Sequence, residues 1–293
     1  MGERIEIGTS ELSAVVTTAG AELVGLQDAA GIELLWQGGS EWPRQAPVLF
    51  PVVGRLAEDT LRHEGKTHRM TQHGFARDAV FAVIEAGPSR AVLRLGDTEA
   101  SRAVFPFAFT LDMIYEVAGS TLSVTARIAN PGAATLPCGI GAHPGFRWPL
   151  VDGVAKDDHV LEFGSQETGE ALSVVGGLLG PGKPLPLEGR VLPLSEALFA
   201  RDALVMPGVA SRALRYVAKG PGGETLRALD VAWEGYKDLG IWSKPGGAPF
   251  LCIEPWYSMA SPVGWDGDFS DKPGILHLDP GESRDFVWRV TAR

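Results

Sequence analysis

The chain has little of what several common functions require. Only two of its 293 residues are cysteine, Cys138 and Cys252, and both lie inside apolar, strand-like runs. There is no CxxC pair and no Cys/His spacing of a zinc site. The expectation is therefore two buried free thiols, no metal, and a reducing compartment, the cytoplasm. No stretch approaches the roughly 20 apolar residues of a membrane span. The first ten residues carry charges and no apolar run, which predicts no signal peptide. Basic residues are outnumbered: 26 Lys and Arg against 36 Asp and Glu leave a net charge of −10. That balance argues against nucleic acid or an anionic membrane as partner, since both need basic patches. Missing too are a glycine-rich dinucleotide or nucleotide loop, HExxH and a GxSxG elbow. No cofactor is expected.

What the chain does have is 37 glycines, 21 prolines and many short apolar runs. Most runs alternate with period two, and turn residues recur every 8–12 residues or so, the pattern of an all-β sandwich or barrel. Arg4–Ile7, Ala14–Thr18, Glu22–Leu26 and Glu33–Trp36 open the series. The clearest hairpin is Phe109–Ile128. Phe109, Leu111, Met113, Tyr115 and Val117 share a face on one arm, Leu122, Val124, Ala126 and Ile128 share a face on the other, and Gly119-Ser120 makes the turn. Leu61–Met70 reads as a second hairpin around Glu64-Gly65. Later strands are expected at Ala203–Met206, Ala213–Ala218, Thr225–Ala232, Leu239–Trp242, Phe250–Glu254, Gly274–Leu278 and Asp285–Thr291. Ala171–Arg190 has no period and reads as a long loop, followed by one helical turn capped by Ser195. Gly38–Leu61 is poor in strands, and prolines 47 and 51 keep its apolar run out of a sheet interior. No composition shift divides the chain, so residues 1–293 are read as one domain.

Three short stretches carry candidate chemistry. In Gly141-Ala142-His143-Pro144-Gly145-Phe146, Pro144 ends a strand (Thr135–Ile140) and fixes His143 at its exit. Imidazole moves protons near neutral pH; a His-Pro surface turn is the plainer alternative. In Cys252-Ile253-Glu254-Pro255-Trp256, a carboxylate ends an apolar strand beside an indole, and desolvation there raises its pKa toward a general base's range. A strand-exit glutamate paired with an arginine is the structural alternative. In Gln72-His73-Gly74-Phe75-Ala76-Arg77-Asp78, His73 either contacts a ligand or holds the backbone. Arg55 and Arg77 lie near turn glycines and either face a cleft or solvent. Trp36, Trp42, Trp148, Trp242 and Trp256 lie close to these motifs, and indole faces suit the apolar faces of sugars.

Taken in order, these three motifs resemble those of the aldose 1-epimerase (galactose mutarotase) superfamily, and its LacX-like branch in particular. Phe50-Pro51-Val52-Val53-Gly54-Arg55, Phe105-Pro106-Phe107, Leu198-Phe199-Ala200-Arg201-Asp202-Ala203 and Gly240-Ile241-Trp242-Ser243-Lys244-Pro245 add to the likeness, which covers nearly the whole chain. The resemblance implies a large antiparallel β-sandwich of the galactose mutarotase-like kind and cofactor-independent interconversion of the α and β anomers of a free sugar. It implies His143 as the general acid on the ring oxygen and Glu254 as the general base on the anomeric hydroxyl. His73, Arg55 and Asp202 match positions that hold sugar hydroxyls or the ring oxygen; Arg77 and Trp256 are further candidate contacts to the substrate.

Two other functions stay open at this level. Phe75-Ala76-Arg77 also resembles the hexose-6-phosphate mutarotases, where Arg77 and Arg55 would clamp a phosphate. A non-catalytic carbohydrate-binding protein on the same scaffold is the other, since folds host many functions. The expected partner is a small sugar, and the expected assembly a monomer or weak homodimer.

Overall fold

In a computed structural model describing residues 2–293, the alternating segments pair into two large, mainly antiparallel sheets. The strands Thr110–Ala118 and Thr121–Ala129 show the logic. Their register sets Val117 against Leu122, Tyr115 against Val124, Met113 against Ala126 and Leu111 against Ile128. All these side chains are buried, and each buried Leu or Val contributes about 1.5–3 kcal/mol. On the other face, Asp112 is held by both nitrogens of an Arg94 fork at 2.6 and 2.7 Å.

That hairpin sits in a nine-stranded sheet. Its order is Val191–Pro193, His159–Phe163, Ala213–Lys219, Thr225–Glu234, Ser283–Ala292, Thr121–Ala129, Thr110–Ala118, Arg90–Gly96 and Ala82–Ala86. The second sheet runs Leu178–Pro184, Glu170–Val175, Leu204–Met206, Asp238–Trp242, Phe250–Tyr257, Ile140–Ala142 and Val48–Leu49, with Gly145–Arg147 also paired to Phe250–Tyr257. Leu111, Met113, Val124 and Trp288 of the first sheet share one buried cluster with Ile140, Leu239, Ile241 and Ile253 of the second. The molecule is thus a β-sandwich, as the sequence pattern and the family likeness led one to expect. Cys138 and Cys252 are free and buried. No helix among the described residues is long and apolar enough to cross a membrane.

Three local expectations change. The segment read as a loop, 171–190, is largely a hairpin: Glu170–Val175 pairs with Leu178–Pro184 across the turn Gly176-Gly177. Both turn glycines have positive φ, 58° and 84°, the geometry of a tight hairpin turn. The hairpin forms the edge of its sheet, where prolines 181 and 184 cost no ladder bond. Few of its side chains are buried, so no alternation marks it in the sequence. The run Thr135–Ile140 is two strands: Leu136–Cys138 pairs with Leu276–Leu278, and Ile140–Ala142 pairs with Phe250–Tyr257. The turn after Ser195 is a 3-10 helix, Glu196–Phe199, and the serine side chain does not cap it. A six-residue α-helix, Glu99–Val104, had no signal in hydrophobic period; Thr98 and Ser101 close a capping box around its first turn.

Candidate active site

Sheet register brings the two principal candidates together. Gly141 lies opposite Trp256 and Gly145 opposite Cys252, so His143, midway between, faces Glu254. Pro144 interrupts the strand at this point, and the imidazole projects beside the carboxylate with Nε2 3.2 Å from Oε2. Both are buried, at 8% and 1% exposure. Three rings enclose His143: Trp42 at 5.0 Å, His73 edge-on at 5.6 Å and Trp242 edge-on at 5.7 Å between centroids.

This burial sets the charge state. Desolvation pushes the His143 imidazole down to about 3, and the positive charges of Arg77 and Arg44 add to the shift. Desolvation pushes the Glu254 carboxyl well above its ordinary value, and the charge of Asp202 adds to that. The indole N–H of Trp256 opposes the shift in Glu254 without completing a hydrogen bond. Burial thus drives each group toward its uncharged form, which favours a shared proton on Glu254 over one on His143. His143 Nδ1, Glu254 Oε2 and Trp256 Nε1 are all buried without a hydrogen-bond partner. Buried polar atoms are seldom left so, and all three belong to residues that line one cleft.

His73 is built differently. Its Nδ1 accepts the backbone N–H of Gly54 at 3.1 Å. That leaves the neutral ring's proton on Nε2, which lies 3.2 Å from the Gln72 side-chain amide. Burial and the neighbouring cations hold its pKa well down, so it stays neutral. Gly74, at φ 72°, makes this possible: a Cβ there would stand 2.2 Å from the Phe50 carbonyl oxygen, while the Phe75 and Ala76 N–H groups both bond that oxygen. Trp256 is seated by a similar device, since a side chain on Gly240 would meet its ring at 2.4 Å.

The cleft around the pair has a volume of about 290 Å3, and His73, Arg77, His143, Asp202, Glu254 and Trp256 all line it. Arg77 donates to the Gln72 carbonyl at 2.6 Å and keeps a buried Nε without a partner. Asp202, at φ 78°, ties one carboxylate oxygen to the Ala203 N–H. Arg55 stands apart from this group. Its guanidinium forks onto Asp59 at 2.7 and 3.1 Å and donates to the Gly176 carbonyl at 3.1 Å. It braces the hairpin turn instead of lining the cleft, so the two-arginine clamp expected for a phosphate is not assembled. Sequence reasoning passed over Gln72, Val174, Gly177 and Leu179, which also line the cleft. The last three come from the hairpin read as a loop. Its Gly-Gly turn between apolar runs was the available signal.

His143, Cys252 and Glu254 also offer three ligand-type atoms within 4.8 Å of one another. Desolvation and the charge of Glu254 push the Cys252 thiol well above its ordinary value.

A profile of the aldose 1-epimerase family matches residues 3–185. The chain belongs to the aldose 1-epimerase family. The match ends before Asp202 and Glu254, but relatives extend the likeness to the whole chain. The LacX protein of Lactococcus lactis subsp. lactis is 28% identical over 98% of both chains. A galactose mutarotase related enzyme from Lactobacillus acidophilus superposes with a TM-score of 0.91 at 29% identity, covering 99% of this chain and 97% of that one. A galactose mutarotase-like protein from Lactobacillus casei gives 0.91 at 27% identity, covering 99% and 100%. This member of the aldose 1-epimerase family thus has the galactose mutarotase-like fold.

Proposed function

We propose that the protein is a mutarotase that interconverts the α and β anomers of a free hexose without a cofactor, acting through His143 and Glu254. The observation that carries this reading is the buried pair itself, 3.2 Å apart on the floor of a sugar-sized cleft. Moving the shared proton from Glu254 to His143 gives an acid and a base side by side, and sugar hydroxyls that satisfy the unpaired atoms favour that charged form. Glu254 then takes the proton of the anomeric hydroxyl while His143 gives its proton to the ring oxygen. The C1–O5 bond breaks to leave an aldehyde, C1–C2 rotates, and reclosure with the roles reversed yields the other anomer. Each proton transfer is worth on the order of 10²–10⁴-fold.

The remaining cleft residues fit this chemistry. His73 Nε2–H and Arg77 are donors to sugar oxygens, and Asp202 is an acceptor. Trp42, Trp242 and Trp256 offer apolar faces. A phosphorylated hexose has less support, because Asp59 engages Arg55 and only Arg77 of the two faces the cleft. The unpaired cysteines support a cytoplasmic location. The test is polarimetry of freshly dissolved α-glucose and α-galactose. Equilibration faster than the buffer blank, lost in His143→Ala, is the expected result. No acceleration of either sugar refutes the reading.

A further inference from the structure

The space around the catalytic pair continues beyond a single sugar ring. A second chamber of about 890 Å3 lies between the Glu170–Val175/Leu178–Pro184 hairpin and residues 196–204. Val174, Asp202, Ala203 and Trp242 line both spaces, so the two adjoin along these side chains. Trp242 also touches the His143 ring edge-on. The chamber therefore begins one side chain away from the reacting centre.

Size and lining restrict what the chamber takes. Small-molecule sites run to roughly 300–1,000 Å3. At about 290 Å3 the catalytic cleft suits one hexose ring, whereas the chamber has room for more than one further ring. Leu172, Pro181, Pro184, Leu198 and Pro245 give it apolar walls beside the Trp242 indole, with Ser173, Lys183 and Arg201 as polar points. Flat apolar surfaces beside a few donors match the alternating faces and edges of pyranose rings.

The hairpin wall is anchored in advance. Arg55 ties the hairpin turn at Gly176 to Asp59. On the other arm, the Leu179 N–H bonds the Ser261 carbonyl and the Val263 N–H bonds the Leu179 carbonyl, each at 2.9 Å. A preformed chamber spares a ligand the cost of ordering the hairpin.

Resting on the mutarotase reading above, we propose that the preferred substrate is a reducing oligosaccharide. Its terminal reducing unit occupies the catalytic cleft, and the next unit, linked through an oxygen other than O1, lies in the chamber. The chemistry is unchanged, because such a sugar keeps a free anomeric hydroxyl. The second unit supplies binding energy remote from the reacting bond.

The test compares maltose, cellobiose and lactose with glucose and galactose by exchange NMR of the anomeric signals, with glucose 6-phosphate alongside. At least one disaccharide is expected to exceed its reducing monosaccharide by about tenfold in kcat/KM, equivalent to about 1.4 kcal/mol. Ala200→Trp, an exposed position on the chamber wall, should abolish that gain while leaving the monosaccharide within about twofold, which also shows that the variant is folded. Equal rates for mono- and disaccharides overturn this inference alone. So does a preference for the 6-phosphate, or a variant that slows both sugar classes equally. No acceleration of any sugar overturns the mutarotase reading with it.

Discussion

Replacing His143 by glutamine should flatten the acid side of the stability profile. In the folded protein this imidazole is pushed from its ordinary 6.5 down to about 3 by burial. Between those pH values the unfolded chain binds a proton on His143 and the folded chain does not. Unfolding then takes up a proton, so the unfolding free energy falls as pH drops through that window. At 1.36 kcal/mol per pH unit, the span from pH 6.5 to 4 is worth about 3 kcal/mol. That is a large share of the roughly 5–15 kcal/mol of a typical domain. Urea unfolding of both proteins at pH 7 and pH 4 reads it out. Carboxylates remote from the site affect both proteins alike and cancel in the difference, whereas His73 and Glu254, which face residue 143, shift with the substitution and belong to the same burial effect. The wild type should lose about 3 kcal/mol more than His143→Gln over this interval. Equal losses would refute the burial argument for the pair.

Three further outcomes follow from single contacts. The charge of Asp202 raises the pKa of Glu254, so Asp202→Asn should move the alkaline limb of the mutarotation pH profile to lower pH; an unmoved limb means that the two charges do not communicate. Arg55→Ala should speed hydrogen exchange across residues 174–180, because Arg55 braces the Gly176 turn, and should raise KM more than it lowers kcat; unchanged exchange would remove the bracing role. Lys272 is buried against the Ser258 hydroxyl at 3.0 Å, and burial lowers its pKa to about 8. The unfolded chain keeps that proton up to about pH 10.5 while the folded chain has released it, so stability should rise by about 3 kcal/mol from pH 8 to 10.5. Lys272→Met should lack that rise, and urea unfolding at the two pH values decides.

Legibility in the sequence followed burial. Where one face of a strand is buried and the other is not, as in Thr110–Ala118 with Thr121–Ala129, period two was visible and the pairing followed. Where few side chains are buried, as in the hairpin at 170–184, the pattern was absent and the element was missed. The site was legible as residue types at strand exits, His143 before a proline and Glu254 after an apolar run. Their facing positions were not, since they depend on the register of Gly141 and Gly145 with a strand more than 100 residues away. Arg55 shows the limit of motif reading. Its neighbour Gly54 lines the cleft and anchors His73, while its own side chain turns to Asp59. Nothing in the local sequence records which way a side chain leaves a turn.

The central claim is that His143 and Glu254 act as one acid–base unit. Exchange NMR of α- and β-glucose tests it most directly, with wild type, His143→Gln, Glu254→Gln and the double variant, each confirmed folded by circular dichroism. The account predicts that either substitution removes nearly all the acceleration, by about 10²-fold or more, and that the double variant is little worse, because a unit that has lost one member has lost its function. Independent, additive losses would contradict it, as would a single variant that still accelerates exchange like the wild type.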